Sequence, residues 1–235
     1  PAAAQTVVHV DANAPSGGDG TSWSDAYSLL TNALTDANDG TGAYEIRVAA
    51  GVYYPDEDNP EVLSSFTIGR NEIQLLGGYP ANSYSSGGGM RDPAAHPTIL
   101  SGDIDQDDVN TDGNFIAETT DDIQGTNQSP VVSINIATFG VDNPVSITDA
   151  TVVDGFVITA GGNSGGLQVR TSGDLDVAPA LTGLSFQGNV TGLVVRTNGT
   201  SSDTGAAAPT VTNTTFTGNT TPNSGAGARY TGIVG

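Results

Sequence analysis

Apolar and polar positions between Val152 and Tyr230 follow one short pattern three times. Val153-Asp-Gly-Phe-Val-Ile158 is followed by Gly161-Gly-Asn163, Leu181-Thr-Gly-Leu-Ser-Phe186 by Gly188-Asn189, and Val211-Thr-Asn-Thr-Thr-Phe216 by Gly218-Asn219. Ile158 to Phe186 is 28 positions and Phe186 to Phe216 is 30, so the unit length is nearly constant. A second series shares the period: Gly166-Leu-Gln-Val-Arg170 and Gly192-Leu-Val-Val-Arg196 lie 26 apart, and a degraded member stands at Gly227-Ala-Arg229-Tyr230. Two motifs with one period mark a solenoid. Within each unit Leu167 and Val169 alternate with Gln168 and Arg170, and Phe156 and Ile158 with Gly155 and Val157. Period two means strands, and Gly, Asn, Thr, Ser and Asp between them mean turns. The expected architecture is all-β, a parallel β-helix of short strands stacked coil on coil.

Upstream, Thr6-Val-Val-His-Val10 reads as a strand and Asp11 to Gly20 as a turn-rich loop. A helix is expected from an N-cap at Ser24, with Ala26, Leu29, Leu30, Ala33, Leu34 and Ala37 at helical spacing and Asn38-Asp-Gly40 as its stop. Such a helix would cap the first coil, and the lone Trp23 would pack in that cap. Tyr44–Ala50, Gly51–Tyr54, Phe66–Ile68, Ile73–Tyr79 and Thr98–Gly102 read as coil strands, with an acidic loop at Asp56-Glu-Asp-Asn-Pro60. The chain divides into residues 1–40, strand plus capping helix, and residues 41–235, coils with an acidic insertion near 103–128. The two form one continuous domain, expected to be open at its C-terminal end, because Ala226 to Gly235 reads as a coil strand with no cap.

Charge sharpens the picture. The net charge is -20; all six basic residues are arginine, and 21 of the 26 acids are aspartate. That balance repels nucleic acid and anionic membrane surfaces, and it suits either a saline habitat or an ordinary acidic secreted protein. Cysteine is absent, so thiolate chemistry and disulfides are excluded. No apolar run is long enough to insert in a membrane. Pro1-Ala-Ala-Ala4-Gln5 looks like the end left by signal-peptide removal.

Read in order, "VHVDANAPSGGDGTSWSDAYSLLTNAL", "IRVAAGVYYP", "IQLLGGYP", "RDPAAHPTILSGDI" and "VVDGFVITAGG" resemble the opening of secreted right-handed β-helix proteins. The group includes polymorphic outer-membrane-protein-type repeats and other surface proteins of the pectate-lyase-like superfamily. The resemblance covers roughly residues 7 to 220. It implies a right-handed helix and an exported, cell-surface or outer-membrane-associated protein used as an adhesin or structural element. Enzymes of similar fold use clustered aspartates for calcium with an Arg or Lys base, or paired aspartates for hydrolysis.

The most specific chemical signal is Asp103-Ile-Asp105-Gln-Asp-Asp108-Val-Asn110-Thr-Asp112-Gly-Asn114. Asp108-x-Asn110-x-Asp112-Gly113 has the oxygen spacing of a calcium loop, with Gly113 at the sharp turn. Asp103, Asp105, Asp108, Asn110, Asp112 and Glu118 are the candidate ligands of a structural calcium; Thr119 stands where such loops carry their bidentate Glu. A solvated acidic loop is the competing reading. Asp107-Asp108 and Asp121-Asp122 are candidate carboxylate pairs, His9 and His96 have no partners at catalytic spacing, and Arg170 and Arg196 should form an outward ladder paired with aspartates. Asn127, Asn189, Asn198, Asn213 and Asn219 head glycosylation sequons, although Asn163, Asn189 and Asn219 suit a hydrogen-bonded turn ladder better.

Three function classes follow. The first is a non-catalytic extracellular or cell-surface structural or adhesive protein, whose partners are itself or cell-surface glycans and proteins. A filament subunit joined end to end is the second, and a polysaccharide lyase or glycosidase the third.

Overall fold

The computed structural model describes residues 5–55, 64–136, 144–162, 164–171, 173–198, 203–221 and 226–232. The acidic loop at 56–60, the small-residue start at 1–4, Asn163 of the turn ladder and the last three residues lie outside them. The fold is mostly β: three parallel sheets of five or six strands, with few helices.

The strands form successive layers. β1 (Thr6–Val10) comes first, followed by α1 (Leu30–Asp39). Next come β2 (Tyr44–Ala49), β3 (Gly51–Tyr53) and β4 (Phe66–Ile68), then β5 (Ile73–Tyr79), the short α2 (Ser83–Ser86), β6 (Thr98–Ser101) and β7 (Val132–Asn135). The later layers are β8 (Val152–Asp154), β9 (Phe156–Thr159) and β10 (Leu167–Thr171); β11 (Ala180–Thr182), β12 (Ser185–Gln187) and β13 (Leu193–Thr197); and β14 (Thr210–Thr212), β15 (Thr215–Thr217) and β16 (Ala228–Thr231). Sheet A runs β1-β2-β5-β8-β11-β14, sheet B β3-β6-β9-β12-β15 and sheet C β4-β7-β10-β13-β16. From β2 onward the chain visits A, B and C in that cyclic order.

Alternation decides which residues line the interior. In sheet A, Val8, Ile46, Leu75, Val153, Leu181 and Val211 stand in one register column. The sheet B column is Tyr53, Leu100, Ile158, Phe186 and Phe216, and sheet C carries Ile68, Ile134, Val169, Val195 and Tyr230. All but the last-layer members are buried in one contiguous core. The two repeat series thus pair as their spacing demands: Phe186 lies against Ile158 and Phe216, and Leu167 and Arg170 against Leu193 and Arg196.

The turns between sheets explain the recurring Gly and Asn. From A to B the chain passes through left-handed backbone at Gly155 (φ 80°), Gly183 (φ 59°) and Asn213 (φ 49°). Only Gly, and less readily Asn, enters that region cheaply. On the far side of sheet B the same conformation recurs at Ala160, Gly188 and Gly218.

The capping helix forms, but later than the spacing implies. It begins at Leu30, Leu29 offers no side-chain cap, and Ser24 bonds instead with Ser22 and Asp25 in a turn. The cause is non-local. His9 N–H donates to Gly20 O and Tyr27 N–H to His9 O, while Asp11 N–H donates to Tyr27 O, so residues 20–27 cover the otherwise open edge of β1. Buried Leu30, Ala33, Leu34 and Ala37 face β1, β2 and β4. Asn38 finishes the cover by donating to Thr67 O (2.8 Å) and accepting from Gly69 N–H (2.8 Å) at the edge of β4. Trp23 lies outside the core, its ring 4.7 Å from that of His9 and 5.4 Å from that of Tyr79.

Candidate metal centre

The acidic insertion leaves sheet B after β6 and returns before β7. Its base is pinned: Gly102 N–H donates to Thr159 O (3.0 Å), Gln128 N–H to Gly102 O (2.7 Å), and Asp103 forms an antiparallel bridge with Asn127. Because β6 ends on buried Ser101, Asp103 is drawn under the loop and is only 9% exposed. Its carboxylate accepts from Asp107 N–H (3.1 Å) and Asp108 N–H (3.2 Å), curling the chain back over it. Asp108 accepts from Gln124 N–H (2.6 Å) and from Asn127 Nδ2 (2.9 Å).

This folding brings carboxylate oxygens of Asp103, Asp107 and Asp108 within 4.8 Å of one another, a group able to hold a metal ion. Burial, with the neighbouring carboxylates adding to it, pushes Asp103 up and Asp108 up to about 6. Asp107 is raised by desolvation and by Asp105. Asn127 turns its amide nitrogen to the cluster, Nδ2 donating to Asp108 (2.9 Å) and to Ala160 O (3.2 Å). A cavity of about 120 Å³ adjoins the cluster, lined by Asp103, Asp108, Asn110, Val109, Phe115 and Ile116.

The other candidate ligands are placed differently. Asp105 accepts from Thr126 N–H and lies against Asp107. Asn110 Oδ1 accepts from Phe115 N–H (3.0 Å), and Asp112 closes its own turn by accepting from Asn114 N–H and Nδ2. Glu118 accepts from Asn114 Nδ2 (3.0 Å). The cluster of three is built from Asp103 and Asp108 with Asp107, which the alternate spacing passes over. The adjacent pair Asp107-Asp108 was its only local signal.

Other singled-out residues have structural partners. Asp122 caps a 3-10 turn (Thr120–Asp122) together with Thr119. His9, 8% exposed, has Nδ1 3.1 Å from Gly20 O, and burial lowers its pKa. Arg170 and Arg196 pair in register, yet the ion pairs among the described residues are Arg47–Glu45 and Arg91–Asp154. Asn189 and Asn219 form the turn ladder, with Asn189 fully buried, so its amide is closed to glycosylation. No helix among the described residues is long and apolar enough to cross a membrane.

Comparison with protein-family models, with curated proteins and with solved structures finds no match to this chain.

Proposed function

We propose that the three sheets close into a right-handed parallel β-helix serving as a non-catalytic extracellular or cell-surface structural or adhesive element, with a structural calcium in the Asp103–Asp108 loop. The cyclic A-B-C order around one core supports closure, and parallel crossovers take the right hand almost without exception. The observation that carries the functional reading is in-register repetition. Phe216 on Phe186, Arg196 on Arg170 and Asn219 beside Asn189 commit the repeated residues to contacts between layers. What remains outward is a long polar surface for contact. A strongly acidic chain suits an exposed setting, and glycans or proteins of a cell surface are the partners it would meet.

Small-angle scattering combined with an acidic-polysaccharide panel tests this. A rod that leaves every polymer of the panel intact is expected; unsaturated sugar products would replace the reading with a lyase.

Calcium fits the donor set: three hard carboxylate ligands held close at a cost that a divalent cation would relieve. Calorimetric titration should detect about one ion per chain, and Asp103→Asn or Asp108→Asn should weaken binding at least about tenfold. Binding should also release a proton. Since Asp108 titrates near 6, affinity should rise about tenfold between about pH 5 and about pH 7. The sign follows from the raised pKa. Without metal, the folded loop takes up protons more readily than the unfolded chain, so its stability falls as pH climbs from about 4 to about 6. With calcium that loss should vanish. Heat evolved by magnesium but none by calcium, or binding unchanged in both variants, would remove calcium from this loop.

A further inference from the structure

The acidic insertion does more than leave sheet B and return before β7. Its middle limb lies across the corner that follows sheet B and touches three successive layers there. Ala117, only 4% exposed although it belongs to no strand, donates its N–H to Thr159 Oγ1 (3.0 Å) at the end of β9. A methyl group at Gly188, after β12, would strike the Ala117 carbonyl, and one at Gly218, after β15, would strike the Glu118 carbonyl. The glycines of the repeated Gly-Asn corners therefore serve the insertion as well as the turn.

Both ends of this limb are tied to one short segment. Phe115 N–H donates to Asn110 Oδ1 (3.0 Å), Val109 N–H to Asp122 O (2.9 Å) and Gln124 N–H to Asp108 Oδ1 (2.6 Å). With those bonds made, the carboxylate oxygens of Asp103, Asp107 and Asp108 stand within 4.8 Å of one another, and Asp105 lies against Asp107. Laying the limb on the layers thus gathers four acids, and like charges at such range repel. None of the four is in an ion pair among the described residues.

From this packing and this gathering of charge we infer that residues 103–128 form a strap whose closure over the β9, β12 and β15 corner is set by ionic strength. Repulsion between partly exposed carboxylates reaches about 30 Å at 0.01 M salt and about 3 Å at 1 M. The contacts that hold the strap down, two bare glycines and one hydroxyl, are uncharged and do not weaken with salt. Salt therefore closes the strap, and dilution lifts it from the corner. A monovalent salt suffices, so the switch goes beyond the calcium reading and does not rest on it.

Hydrogen–deuterium exchange of the intact chain in about 20 mM and about 500 mM sodium chloride, with a chelator present, tests this. Amides of Val109, Phe115, Ala117 and Gln124 should exchange at least about fivefold faster at the lower salt, whereas those of β2 and β5 should change less than about twofold. Asp107→Asn keeps the shape and removes one gathered charge, so it should at least halve that salt effect, to about half or less. Thr159→Val takes away the hydroxyl under Ala117 and should speed exchange of the strap at high salt about tenfold. Strap amides equally protected at both salts, or a change of the same size in β2 and β5, would overturn the switch. So would a salt effect that Asp107→Asn leaves whole.

Discussion

Replacing Asn189 with alanine is expected to destabilise the protein by about 3 kcal/mol or more. Asn189 is 0% exposed, so water cannot replace what its amide does. Oδ1 accepts from Gly161 N–H (2.8 Å), while Nδ2 donates to Ile158 O (2.9 Å), Gln187 O (3.1 Å) and Asn219 Oδ1 (3.0 Å). Alanine leaves the Gly161 donor and at least one of the carbonyls buried and unpaired, each at about 1–3 kcal/mol. Asn219, half-exposed and in the final layer, makes the same kind of bond to Phe186 O (2.8 Å) but with solvent at hand. Asn219→Ala should cost about 1 kcal/mol. Urea unfolding of the two variants at constant slope gives the comparison; equal losses would mean that the ladder is surface decoration.

The second large effect is expected at Phe186. It is fully buried, sandwiched between Ile158 and Phe216 in the sheet B column. Phe186→Ala should cost about 3–5 kcal/mol and lower Tm by about 10 °C, because parallel strands on both sides prevent the neighbouring layers from collapsing into the void. Phe186→Leu should cost less than about 1.5 kcal/mol. Phe216→Ala, at a more exposed position of the same column, should cost about 1 kcal/mol. A gradient along one column is the signature of stacked layers. Similar losses at both phenylalanines would contradict that gradient.

Strand positions were legible because they depend on local alternation: Thr6–Val10, Phe66–Ile68 and Ile73–Tyr79 stand where the pattern puts them. Register was legible wherever Gly or Asn marks an obligatory left-handed turn, since those residues fix the length of each unit. The helix start was not. Ser24 reads as a cap from its neighbours alone, whereas its actual conformation is dictated by β1, whose edge takes the hydrogen bonds of Gly20 and Tyr27. The acidic loop depends on the fold in a similar way. An alternate-oxygen template assumes that one continuous loop wraps an ion. Here burial of Asp103 at the end of β6 folds the next five residues back, gathers Asp107 and Asp108, and leaves Asp112 and Glu118 to their own bonds with Asn114. Spacing encodes neither that burial nor the return of Asn127 beside Asp108.

The central claim, that this chain is a stack of in-register parallel layers, is open to a single distance series. Val7, Glu45, Gln74, Val152, Ala180 and Thr210 fall in one outer column of sheet A. Because cysteine is absent, introduced pairs at Thr210 with Gln74, Glu45 or Val7 can be spin-labelled cleanly. Pulsed electron resonance, with labelled protein diluted in unlabelled, should give narrow backbone separations of about 14, 19 and 24 Å, one strand spacing of about 4.8 Å per layer. Distances that are broad, or that do not grow from Gln74 to Glu45 to Val7, would contradict the stacked architecture and every inference built on it.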